Sequence, residues 1–123
     1  MKRFLVKLFF TLIFVTDAFA IITYKQEIDI SSDTANVRGI NFKPDGTIMY
    51  VTTRTNASTD GFVKQYSLDT PFDISTATLT STTQLTDGTT DLQYPHAIEF
   101  KPDGTKMFVV ANEGLYVYQY NLT

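Results

Sequence analysis

Apolar Ile40 and Phe42 alternate with polar Asn41 and Lys43, and a turn-forming run, Lys43-Pro44-Asp45-Gly46-Thr47, follows at once. A period of two marks a strand with one face more buried than the other. Beyond the turn, "IMYV" is apolar on both faces, the pattern of a strand held between two layers. The alternation predicts strands over 37–43, 47–53 and 62–68. A fourth falls in the Ser/Thr-rich stretch 76–85, whose polarity suits an outermost strand with a solvated face. The series then returns, with strands over 95–101, 105–111 and 115–122.

This return is a sequence repeat. "INFKPDGTIMYV" starts at Ile40 and recurs as "IEFKPDGTKMFV" from Ile98, 58 residues later. "VKQYSL" from Val63 recurs as "VYQYNL" from Val117, 54 residues later, so the second copy has a loop four residues shorter. The difference falls in "RTNASTDG", polar and turn-rich, where loops absorb changes of length. The shared "KPDGT" is turn chemistry. Pro44 and Pro102 preset φ, Asp45 and Asp103 can bond the backbone ahead of them, and Gly46 and Gly104 can take positive φ. These six residues are read as structural, folding hairpins rather than binding a ligand. Upstream, "TYKQEIDI" (23–30) also alternates and reads as an outer strand.

A motif of the form Phe-Lys-Pro-Asp-Gly-Thr-x-Met-Tyr/Phe-Val, followed by Val-x-Gln-Tyr-x-Leu, resembles the blade repeat of YVTN-type and related WD-like β-propellers. The resemblance covers 40–122, and "LDTPFDISTAT" (68–78) is similar to the connector of such repeats. It implies an all-β fold of antiparallel four-stranded β-propeller blades, about two of them, forming an incomplete propeller. Blade one then covers about 31–85, blade two about 86–123, and 23–30 is the outer strand of a neighbouring blade. The chain has no Trp, so no strict Trp-Asp repeat is implied. Two blades leave sheet faces and an edge uncovered, which points either to further blades of a longer propeller or to a homo-oligomer of two-blade chains closing a ring. Propellers host lactonases, lectins, dehydrogenases and inert scaffolds alike, so the resemblance speaks to fold and not to activity.

The first twenty residues stand apart. Lys2, Arg3 and Lys7 precede the apolar "LFFTLIFV", which is too short to cross a bilayer, and "AFA" follows as a small-x-small cleavage site. Residues 1–20 therefore read as a secretory signal peptide with a signal helix, cleaved after Ala20. The mature chain is then secreted, periplasmic or extracellular, with no stable membrane span. Cleavage removes three of ten basic residues and one of thirteen acidic ones, leaving seven against twelve and a net charge of −5. An acidic chain without a basic cluster is a poor partner for nucleic acid. With no Cys it has no disulfides, so its stability must come from packed sheets.

Candidate chemistry is sparse. His96, the one histidine, sits in "YPHAIEF" at the mouth of the second inner strand, where Arg38 sits in the first, and these two are the ligand-binding candidates. No catalytic residue is assigned, and with one His and no Cys no metal set is expected. The acidic "TDGTTD" (86–91) lacks the dense alternating carboxylates of a calcium loop and reads as a solvated turn. Tyr116, Tyr118 and Tyr120 share one face of a strand and read as packing against a neighbouring blade. No cofactor is implied. The expected function is a non-catalytic binding or surface scaffold. Two alternatives are a piece of a lactonase-like propeller enzyme and a sugar-binding, lectin-like oligomer of two-blade chains.

Overall fold

The structure, a computed structural model, describes residues 22–54, 60–112 and 115–122. The expected signal helix and most of the longer loop of the first repeat lie outside the described residues. Two antiparallel sheets are present. The first has strands in the order β1 (Asn36–Phe42), β2 (Ile48–Arg54), β3 (Gly61–Leu68) and β4 (Ala77–Gln84); the second has β5 (Pro95–Phe100), β6 (Lys106–Ala111) and β7 (Tyr116–Asn121). Each strand pairs with the next in sequence, so each sheet is a meander, and the two do not join into a closed barrel. A 3-10 turn, Ile74–Thr76, capped by the Asp73 carboxylate, leads into β4. Among the described residues no helix is long and apolar enough to cross a membrane, which does not bear on strands.

The two KPDGT turns are built alike. Gly46 and Gly104 both have φ of 72°, the left-handed region that glycine enters without a Cβ penalty. In the first turn the Asp45 carboxylate accepts hydrogen bonds from the Thr47 amide at 3.0 Å and its hydroxyl at 2.6 Å, while its other oxygen pairs with Lys43 at 2.8 Å. In the second, Asp103 accepts from the amide and hydroxyl of Thr105 at 3.0 and 2.7 Å and pairs with Lys101. All these partners lie within two residues, so each hairpin is closed by contacts of very short range.

Which way the two sheets face follows from the register. Ile40 and Phe42 in β1, Met49 and Val51 in β2, and Tyr66 and Leu68 in β3 lie on one face of the first sheet, the face turned away from the second. Their repeat counterparts in the second sheet, among them Ile98, Phe100, Met107, Val109 and Tyr120, lie on the face turned toward the first. Equivalent faces therefore point the same way, and the sheets stack front to back, not face to face. Tyr50 of β2 meets Phe100 of β5 with ring centroids 4.3 Å apart, and Val63, Leu85 and Leu92 complete the core between the sheets. Clustered apolar burial of this kind contributes about 1.5–3 kcal/mol per large side chain.

Close approach at the inner strands depends on Gly39. A Cβ there would stand 2.8 Å from the Thr52 hydroxyl and 3.0 Å from the His96 carbonyl oxygen, both closer than a comfortable contact. Asn41 spans the same seam, donating from Nδ2 to the Ile98 carbonyl at 3.0 Å and to the Glu99 carboxylate at 2.9 Å. The crossover between sheets is tied at Gly61. Its amide donates to the Leu92 carbonyl at 2.7 Å, its carbonyl accepts from the Leu85 amide at 2.8 Å, and the Leu92 amide donates to the Leu85 carbonyl at 2.9 Å.

The N-terminal segment, expected as the outer strand of a neighbouring blade, joins neither sheet. Residues 22–30 run without strand pairing, although Gln26, Ile28 and Ile30 are half-buried and the residues between them exposed. Ile30 packs on the outward face of the first sheet, and Asp33 accepts a 3.0 Å bond from the Tyr66 hydroxyl. A fourth strand pairs only with a third, and β3 already carries β4 on that edge. The segment is therefore left extended and unpaired.

Candidate functional site

The inner strands β1 and β5 touch, whereas β4 and β7 are separated by a cleft of about 910 Å³. Its floor is aromatic and aliphatic: Tyr50, Phe100 and Met107, with Val63 and Leu85 beneath. One wall carries Gln65 of β3 with Ser81 and Thr83 of β4, and the other Tyr118 and Tyr120 of β7, with Gln119 and Asn121 at the free edge of that strand. The size lies within the range of small-molecule sites, and the mixture of ring faces with a few polar groups is their usual chemistry.

The cleft carries a single formal charge. Asp87 is the one lining residue that carries a charge, and its carboxylate is engaged locally, accepting from the amides of Thr89 and Thr90 and the Thr89 hydroxyl, each at 2.8 Å. Those bonds, led by the one from Thr90, hold its carboxyl below the usual range. Burial pushes the phenols of Tyr50 and Tyr120 up, so both remain neutral donors at ordinary pH. The Tyr120 hydroxyl is buried and finds no hydrogen-bond partner among the described residues. Its repeat counterpart, Tyr66, is satisfied by Asp33. A buried hydroxyl without a partner carries a desolvation cost that a suitable ligand oxygen relieves.

Arg38 and His96 occupy equivalent irregularities. The β1–β2 register steps from Val37 to Gly39 and the β5–β6 register from Pro95 to Ala97, so each candidate is the extra residue of a bulge at the start of its inner strand. Both side chains are exposed. The backbones of the two bulges adjoin through Gly39 and the His96 carbonyl, but neither Arg38 nor His96 lines the cleft. Bulges re-aim a side chain at a sheet rim, which is how these two come to point into solvent. Tyr118 and Tyr120 pack against the core between the sheets, while Tyr116 is exposed and touches Tyr118 edge to face at 6.0 Å. The "TDGTTD" stretch closes on itself through Asp87, and no group of three or more metal-ligating side chains occurs among the described residues.

Sequence reasoning did not find Gln65, Ser81, Thr83, Gln119 or Asn121 as a set. A period of two tells which of them share a face within one strand, but not that β4 and β7 stand across from each other. No family model, curated protein or solved structure matches the chain.

Proposed function

We propose that the protein is a secreted β-propeller repeat protein, built from blades of the YVTN or WD-like type, that acts as a non-catalytic binding or surface scaffold. The observation that carries the blade reading is the front-to-back stacking of two meander sheets with equivalent faces pointing the same way. Repeats that surround an axis need that arrangement, since each unit offers one face to its predecessor and the other to its successor. Secretion rests on the composition of residues 1–20. N-terminal sequencing of exported protein is expected to begin at Ile21, and a chain retained in the membrane fraction with Met1 intact overturns it.

The cleft favours one form of this function, sugar binding. Ring faces at Tyr50 and Tyr118 suit the C–H face of a pyranose, while neutral amides and hydroxyls along the walls suit its oxygens. The cleft offers no cation to attract a phosphate or carboxylate. Chemical-shift mapping with a panel of neutral oligosaccharides is expected to move the signals of Tyr118, Tyr120, Ser81 and Thr83, with Tyr118→Ala abolishing the response. A panel that moves none of them removes the cleft as a sugar site.

A further inference from the structure

We propose that the second sheet of one chain docks onto the first sheet of a second copy, so that chains associate head to tail through surfaces equivalent to the internal interface. The inference rests on the blade reading only in taking that internal interface as its template.

The repeat makes the comparison position by position. In the first sheet the face turned toward the second carries Asn41, Tyr50, Thr52, Val63 and Gln65. The counterparts in the second sheet are Glu99, Phe108, Val110, Val117 and Gln119, and these lie on the face turned away from the first. Val63 is 7% exposed, whereas Val117 is 68% exposed and its cross-strand neighbour Val110 is 45% exposed. Positions that the first copy buries are thus open in the second, and the open set is more apolar, with Phe108 for Tyr50 and Val110 for Thr52. Burial of such a patch favours association.

The receiving surface shows the same asymmetry at the other end of the stack. Ile98 is 5% exposed beneath the first sheet, while its counterpart Ile40 is 56% exposed and the neighbouring Val37 is 54% exposed. A face that accepts a sheet in the second repeat is therefore partly uncovered in the first.

Edges complement each other as the faces do. Among the described residues no strand pairs with the outer edge of β7, although its counterpart β3 carries β4 there. The unpaired segment 22–30 stands on the first sheet as the end of β4 stands on the second. Ile30 packs into the outward cluster of the first sheet, and Leu85, which follows β4, packs into the core against the second. When the second sheet of one copy stacks on the first sheet of another, its β7 edge comes beside segment 22–30 of that copy and gains a fourth strand. At the inner seam itself two further positions depart from strict equivalence, Ala97 for Gly39 and Glu99 for Asn41. A Cβ and a missing donor set the inner seam between copies wider than the seam within a chain. An interface that joins front to back has no twofold axis, and it closes as a ring when the rotation from one copy to the next completes a full turn. Three two-blade chains give about six blades, a common closure.

The test uses exported protein and light scattering after size exclusion. Wild type is expected as a discrete oligomer of about three chains. Val117→Lys and Ile40→Lys, both at exposed positions, are each expected to give folded monomers with unchanged circular dichroism. Mixing those two monomers is expected to give a one-to-one heterodimer, because each retains the surface the other has lost. A wild type that stays monomeric at high micromolar concentration overturns the proposal, as does an oligomer that neither substitution disturbs. A monomer that still binds oligosaccharide in the cleft removes the assembly and leaves the binding function standing.

Discussion

Replacing Gly46 by alanine tests the turn and its packing together. A Cβ at this position would lie 2.3, 2.4 and 2.7 Å from three ring atoms of Phe72, and φ is 72°. Phe72 is 59% exposed, so relief has to come from turning its ring off Phe42 while its backbone stays held. The Phe72 amide donates to the Gly46 carbonyl at 2.9 Å, its own φ is 60°, and its ring sits 5.7 Å from that of Phe42. Gly104 has the same φ but nothing within 4 Å of its added Cβ, which makes it an internal control. Alanine in the left-handed region costs roughly 1–2 kcal/mol. The loss of unfolded-chain entropy relative to glycine returns about 0.4–1 kcal/mol. Gly104→Ala should therefore destabilise by about 1 kcal/mol. Gly46→Ala carries the same strain plus overpacking of roughly 1–3 kcal/mol, for about 2–4 kcal/mol in all. Urea denaturation of the two variants side by side measures the difference, and Phe72→Ala on the Gly46→Ala background should recover most of it. Equal midpoints for the two alanine variants would refute the packing assigned to Phe72.

The two equivalent tyrosines should respond in opposite ways to loss of the hydroxyl. Tyr66→Phe strands the Asp33 carboxylate and should cost about 1–2 kcal/mol, while Tyr120→Phe removes a buried hydroxyl with no partner among the described residues and should be neutral or stabilising; thermal melts of both decide it. On the acid side, the Lys43 pair with the Thr47 bonds, and the Lys101 pair with the Thr105 bonds, hold Asp45 and Asp103 well below the usual carboxylate range. A depressed folded value means that the stability these groups contribute is fully present above the unfolded value of about 4 and is lost only as pH falls through the lower folded value. Asp45→Asn and Asp103→Asn should therefore lower the melting temperature at pH 7, by a margin that shrinks as pH falls well below about 4. A gap that persists undiminished at the lowest pH contradicts the assignment.

Strands and turns were legible because their signals are local. Alternation at Ile40 and Phe42 marks β1, the apolar run after the turn marks β2, and "KPDGT" places a left-handed glycine that both copies contain. Composition also suited the polar outer strand β4, whose residues are almost all exposed. What was not legible depends on partners distant in sequence. Residues 23–30 have the alternation of a strand, but pairing needs a free third strand alongside, and β3 of the sheet on which the segment packs already carries β4. The cleft likewise arises from the placement of β4 against β7, set by the crossover and not by either strand's pattern. Arg38 and His96 were located at equivalent points by the repeat, yet the bulges that carry them turn their side chains away from the cleft.

The three backbone bonds that join Gly61, Leu85 and Leu92 close the stem of the crossover before the exposed loop 86–91 begins. Tension between the two sheets is thus borne at the stem, and the loop beyond it carries none. A protease that nicked the chain beside Gly88 would leave both new ends anchored, and the sheets would stay in place as a two-piece complex. By the same reasoning, this loop is where an inserted tag or an entire guest domain could be hung without altering the distance from one repeat to the next.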